Sequence, residues 1–447
     1  MLSTRPYHSF PRTFLWGVAA AAYQIEGGAT EGGRGPSIWD TFCDRLGAIR
    51  NGDSGAVACD HYHRYESDLD LMASLNVTNY RFSVAWPRIY PEGTGEPNRE
   101  GIAFYDRLID AMLERGIQPS ATCYHWDLPQ ALEDRGGWRN RDTARAFAEY
   151  AGTLAHHFGD RVKMWYTLNE PWCSWWLGHK DGIHAPGARE SGKVLRQVAH
   201  NLLLAHGGGT QALRANTIAP DLKIGIVHNS NNLIPFTESV EDVDATRRIW
   251  EERNGWLLGP VLRGEYPAGE LAALGADAPD IEPGDMELIN QPTDFLGLNV
   301  YFSNEVVRAS EDPQFLEAYY PRTDFQWPIT PEAVYWSLRF ANETYGPISL
   351  YVTENGCCYP DQVNAQGRVE DFARLAFIRE NLKCVHRASK EGIPVKGYFL
   401  WSILDNFEWA EGYAKRFGIV HVNFNTQKRT PKASALWYAR TMQLNGF

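Results

Sequence analysis

The sequence predicts an α/β fold: a single (β/α)8 TIM barrel over residues 1–447, with long loops at its C-terminal face. Eight short apolar runs rich in β-formers recur along the chain, and amphipathic stretches of helical length separate them. The unusual polar residues also fall at the ends of those runs, where barrel enzymes keep their reactive groups. Strands alternating with helices build a parallel sheet, and eight such units close a barrel.

The runs lie at 15–20, 79–84, 119–124, 164–169, 223–227, 295–299, 350–353 and 395–401. They are apolar throughout, as expected of strands covered by helices on one side and packed inside on the other. Helical segments between them include 103–115, 143–158, 194–215 and 372–390. Gly207-Gly208-Gly209 closes one of these helices and follows no strand, which argues against a phosphate-binding loop. The chain has no Ser/Gly linker, low-complexity tract or fixed-period repeat, so one domain is the simplest account. Length beyond a minimal barrel is expected in loops at 25–60 and 303–330; loops of that size are commonly functional or disordered.

Composition narrows the partners. Hydrophobic residues at 44 % and charged residues at 22 % describe an ordinary globular chain. A net charge of -12, without a basic run, disfavours nucleic acid and anionic membranes and favours a neutral small molecule. The first 14 residues lack the apolar core of a secretory signal, and no run of 18 apolar residues exists, so a cytoplasmic protein is expected. Seven cysteines without a C-x-x-C pair, two of them the adjacent Cys357 and Cys358, suggest reduced and mostly buried thiols. His61-x-His63 and His156-His157 lack the further ligands a metal needs, so neither metal nor cofactor is expected. Oligomeric state is not written in these features. Aromatics reach 13 %, with 16 Trp; indoles pack cores, and they also stack on the C–H faces of sugars.

Two motifs carry chemistry. Thr167-Leu168-Asn169-Glu170-Pro171 ends the fourth run, and Val352-Thr353-Glu354-Asn355-Gly356 ends the seventh. Singly, the first reads as a helix start with proline at its first position, and the second as an Asn-Gly turn. Together they place Glu170 and Glu354 on one rim. Glycoside hydrolysis uses such a pair: one acid protonates the leaving oxygen, and one carboxylate meets the charge at the anomeric carbon. Spacing alone does not say which glutamate does which.

The chain resembles the glycoside hydrolase family 1 β-glucosidases. The likeness runs from Phe10-Pro11-Arg12-Thr13-Phe14-Leu15-Trp16-Gly17 and Tyr23-Gln24-Ile25-Glu26-Gly27, through Tyr80-Arg81-Phe82-Ser83 and Tyr124-His125-Trp126-Asp127-Leu128-Pro129. It continues through both glutamate motifs to Trp401-Ser402-Ile403-Leu404-Asp405-Asn406-Phe407-Glu408-Trp409 and Lys415-Arg416-Phe417-Gly418. The resemblance implies Glu170 as acid/base and Glu354 as nucleophile, with Arg81 and Tyr301 beside Glu354. The charge of Glu354 is expected to raise the pKa of Glu170. The resemblance further implies that Gln24, His125, Trp126, Asn169, Glu408 and Trp409 hold the sugar, that Trp401 stacks beneath it, and that Asn299 and Phe417 line the same pocket. Trp172, Leu177, His184, Asn229 and Trp327 match positions at the entrance and leaving-group site.

Glu408 and Trp409 stand where phospho-β-glycosidases of this family carry smaller residues, which implies an unphosphorylated sugar. Thioglucosidases lack the acid/base glutamate that Glu170 supplies. Val300, Asn381, Ala21 and Ala22 depart from the family pattern, Val300 nearest the site. The expected activity is a retaining exo-β-glucosidase acting on a β-glycoside or oligosaccharide, extending to β-galactosides and β-fucosides. The alternatives are a transglycosylase on the same scaffold and a non-catalytic glycan-binding barrel.

Overall fold

The computed structural model describes residues 7–447 except residue 318. All eight expected strands form: β1 (Leu15–Ala19), β2 (Asn79–Ser83), β3 (Gln118–Tyr124), β4 (Met164–Asn169), β5 (Lys223–Asn229), β6 (Phe295–Asn299), β7 (Ser349–Asn355) and β8 (Val395–Trp401). Each pairs in parallel with its neighbours in chain order, and β1 pairs with β8 to close the barrel. Part of the expectation about a secretory signal concerns residues 1–6 and lies outside the described residues.

The helices form where apolar periodicity and caps coincide. In Arg99–Glu114, Asn98 caps the first turn, and Phe104, Tyr105, Leu108, Ile109 and Met112 recur on one buried face. The other three expected helices are present as Asp142–Phe158, Gly192–Asn216 and Phe372–Lys390. The glycine triplet at 207–209 lies inside Gly192–Asn216 rather than closing it. A Cβ on Gly207 would come within 1.9 Å of the Leu288 carbonyl oxygen, so glycine there permits close packing between chain segments.

Both long loops carry secondary structure among their described residues. Within 25–60, Ser37 and Asp40 form a reciprocal capping box on the short helix Ile38–Cys43. Within 303–330, strands Glu305–Arg308 and Gln314–Glu317 join Leu233–Pro235 in a small sheet. Many of the tryptophans are core: Trp39, Trp86, Trp138, Trp165 and Trp250 are fully buried. The cysteines are free thiols, five buried and two half-buried.

A buried ionic cluster braces the segment after β8, which leads to Glu408. Lys432 Nζ lies 2.6 Å from Asp361 and 2.7 Å from Asp405, and Arg416 sits 2.7 Å from the other Asp405 oxygen. Arg374 reaches Asp361 and Asp371, each at 2.6 Å. Removing one ion from such a cluster leaves its partners buried and uncompensated. Lys432→Met is therefore expected to cost about 3–5 kcal/mol, read as a lower midpoint of denaturant unfolding; an unchanged midpoint would contradict it.

Candidate active site

The C-terminal ends of the strands open into a cavity of about 1530 Å³. Both glutamates line it: Glu170 follows β4 and Glu354 lies within β7. The seventh strand is longer than its apolar run and continues through Asn355, so the Asn-Gly pair forms no turn. Gly356 is needed for another reason: a Cβ there would meet the Trp401 carbonyl oxygen at 1.8 Å. At β4 the helix-start reading of the motif holds. The chain turns at Glu170, whose φ is +45°, and Pro171 opens the helical segment that follows. Trp126 at +75° and Trp409 at +48° are also left-handed. Non-glycine residues in that region carry strain of the kind functional sites hold in place.

The two carboxyl groups are joined by one hydrogen-bonded chain. Tyr301 Oη donates to Glu354 Oε2 at 2.7 Å, and Arg81 Nη1 lies 2.6 Å from Glu354 Oε1. Arg81 Nη2 donates to Asn169 Oδ1 at 2.6 Å. Asn299 Nδ2 uses one proton on Asn169 Oδ1, at 3.2 Å, and the other on Glu170 Oε1, at 2.6 Å. Thr353 Oγ1 donates to Asn299 Oδ1 at 2.7 Å, which orients that amide. With Asn169 Oδ1 facing Arg81, its Nδ2 donates to His125 Nε2 at 3.0 Å. The His125 proton then sits on Nδ1. Burial, and next the charge of Arg81, hold His125 well below its usual value and therefore neutral.

The carboxyl groups differ in their surroundings. Burial pushes Glu170 up to about 7, and the charge of Glu354 adds to it. Burial is the larger cause, and the expected contribution of the Glu354 charge comes second. Glu408 is pushed up to about 8 by burial, then by Glu354 and Glu170. Its Oε2 is buried without a partner, poised toward whatever fills the cavity.

Aromatic rings shape the walls. Trp401 and His125 stack with centroids 5.8 Å apart, and Trp409 packs on Trp126 at 4.6 Å. The Trp126 indole N–H is already committed to the Asn169 carbonyl at 2.9 Å, so this residue contributes its face and not a free donor. Phe417, Tyr301 and Trp327 form one cluster. Trp172 and Trp176 stack at 6.2 Å, and Leu177, His184 and Asn229 line the same cavity. Burial lowers His184 to about 4.

Three expected residues do not line the cavity. Arg81 and Asn169 sit behind its surface in the hydrogen-bonded chain. Gln24 is fully buried, with Nε2 on Asn406 Oδ1 and the Phe407 carbonyl, and with Oε1 unpartnered. Residues the sequence reading passed over include Cys173, Trp176 and Phe325. Cys173 Sγ is 3.1 Å from Glu170 Oε2, and Phe325 stacks on Trp327 at 4.4 Å. Cys173 stands one helical turn after Glu170 on a segment opened by proline, which was the available signal. The first histidine pair is engaged elsewhere: His61 with Asp68, and His63 with Asp60 and Glu31.

Two carboxyl groups in one aromatic-lined barrel mouth, one raised in pKa by burial and one ion-paired, form a site suited to acid-assisted cleavage of a glycosidic bond. Residues 6–447 match glycosyl hydrolase family 1, and the chain belongs to that family. It is 47 % identical to beta-glucosidase A of Thermotoga maritima over 98 % of both chains. It is 44 % identical to a bifunctional beta-D-glucosidase/beta-D-fucosidase of Bifidobacterium breve, over 96 % of this chain and 97 % of that one. A solved family 1 β-glucosidase from Thermotoga maritima, in complex with isofagomine lactam, superposes with a TM-score of 0.92 at 46 % identity, covering 99 % of this chain and 100 % of that one.

In Glu354→Gln the neighbouring charge is removed and burial stays. Glu170 is expected to titrate about one unit lower yet still above its ordinary 4.5. Infrared difference titration of the carboxyl band reads this; a return to 4.5 would make charge, not burial, the main cause.

Proposed function

We propose that the protein is a retaining exo-β-glucosidase that releases terminal β-D-glucosyl residues from small β-glycosides and oligosaccharides and also accepts β-fucosides. The observation that carries this reading is the contrast between the two glutamates: burial pushes Glu170 up to about 7, whereas Glu354 is held between a guanidinium and a phenol. The names of the two relatives above support the sugar class.

In the first step Glu170 donates its proton to the glycosidic oxygen as Glu354 attacks the anomeric carbon. The aglycone leaves and a glycosyl ester forms on Glu354. Esterification removes the charge that helped hold the proton on Glu170. Glu170 then accepts a proton from water, the water attacks the anomeric carbon, and the sugar leaves with its configuration retained. Arg81 and Tyr301 position Glu354 throughout. Trp401 offers a face to the ring. His125, Glu408 and Trp409 meet the hydroxyls from the cavity wall, with the unpartnered Glu408 Oε2 as a ready partner, and Asn169 and Gln24 support that wall from behind. A sugar 6-phosphate is disfavoured by Glu408, which would add a third acidic group to the site.

Proton NMR of the first product from an aryl β-glucoside is expected to show β-glucose; initial α-glucose would refute retention. Glu354→Ala is expected to abolish turnover. Glu170→Ala should lose about 10²–10⁴-fold on glucosides with poor leaving groups and much less on activated ones. Because Glu170 must carry a proton, kcat/KM should fall as pH rises through about 7. That alkaline limb should vanish in Glu170→Gln on substrates whose leaving group needs no protonation.

A further inference from the structure

The Glu170 carboxyl is held at both oxygens. Oε1 accepts from Asn299 Nδ2, whose two protons are both spent inside the site. Oε2 faces the buried Cys173 thiol at 3.1 Å. The thiol has a neighbour of its own on the far side: Asn229 Nδ2 points at Cys173 Sγ from 3.7 Å. An amide donating toward sulfur leaves the S–H free to point the other way, at the carboxyl. Asn229, Cys173 and Glu170 thus form a directed run of donors that ends on Oε2, and both Cys173 and Asn229 line the cavity.

We propose that Cys173 is a positioning residue for Glu170: its thiol donates to Oε2, fixes the carboxyl plane together with Asn299, and favours the ionised form. The thiol thereby sets the upper pH limit of proton donation without touching the sugar. A thiol is a weak donor, but in a site shielded from water even a weak donor discriminates between a carboxylate and a neutral acid. Burial pushes the thiol itself well above its ordinary range, so it stays protonated and available as a donor. The other groups that act on Glu170 come from different elements and are untouched by changes at this position. They are Glu354 from β7 and Arg81 from β2, with Glu408 and Tyr301 facing the same pair.

This inference rests on Glu170 being the acid/base, and its test separates the two claims. The pH profile of kcat/KM for an aryl β-glucoside is measured for the wild type, Cys173→Val, Cys173→Ala and Cys173→Ser, with thermal midpoints as the check on folding. Loss of the donor should move the alkaline limb up by about half a unit in Val and Ala, with KM little changed. Serine, which restores an O–H donor, should bring the limb back toward wild type. An unmoved limb in both Val and Ala overturns the proposal, as does a serine variant that behaves like alanine. If instead Glu170→Gln keeps a normal alkaline limb on activated substrates, the acid/base assignment fails and the thiol has no such role.

Discussion

The guanidinium of Arg81 is the point on which the site depends. It is buried, over the Tyr166 ring at 5.0 Å, and it bonds Glu354 with one nitrogen and Asn169 with another. The second bond settles the orientation of Asn169, which settles the tautomer of His125. Asn169 also accepts from Asn299, which in turn donates to Glu170. One cation on β2 therefore arranges groups on β3, β4, β6 and β7. A planar, forked donor can do this; a lysine ammonium would keep the charge but lose the geometry.

Such an arrangement is affordable only on a rigid ring. Neighbouring strands are hydrogen-bonded in parallel all the way round, and the two strands that present the glutamates break regular pairing beside them. The β6–β7 register shifts between Val352 and Glu354, and the β4–β5 register between Tyr166 and Asn169. Irregularities beside reactive groups re-aim side chains that a regular strand would point elsewhere. The ionic cluster around Lys432 does similar work for the segment that presents Glu408, where ordinary strand pairing is not available.

The barrel and both glutamates were legible in the sequence because their signals are local. Apolar runs show without a fold in hand, and the glutamates sit in contiguous motifs. The resemblance then supplied roles that spacing could not. Less visible was anything created by distant chain segments meeting. The small sheet within 303–330 depends on Leu233–Pro235, far away in sequence. The committed N–H of Trp126 depends on the Asn169 carbonyl, and the apparent Asn-Gly turn on the approach of Trp401. Cys173 looked like an ordinary buried thiol until its distance to Glu170 was known. The leading cause of the Glu170 shift was likewise hidden, because burial is a property of the whole barrel and a neighbouring charge can be read from a motif.

The closure of β1 against β8 bears on how the chain reaches this state. During synthesis the first strand is made early, and one of its two partners arrives only with Val395–Trp401. Until then the barrel has an open edge, and Arg81 lacks its Glu354 partner on the seventh strand. Contacts this distant in sequence form slowly, and nascent parallel sheets expose apolar edges while they wait. The same ring that makes the finished site rigid therefore leaves the growing chain with an unpaired strand edge and an uncompensated cation for most of its translation, a period in which a chaperone has something to hold.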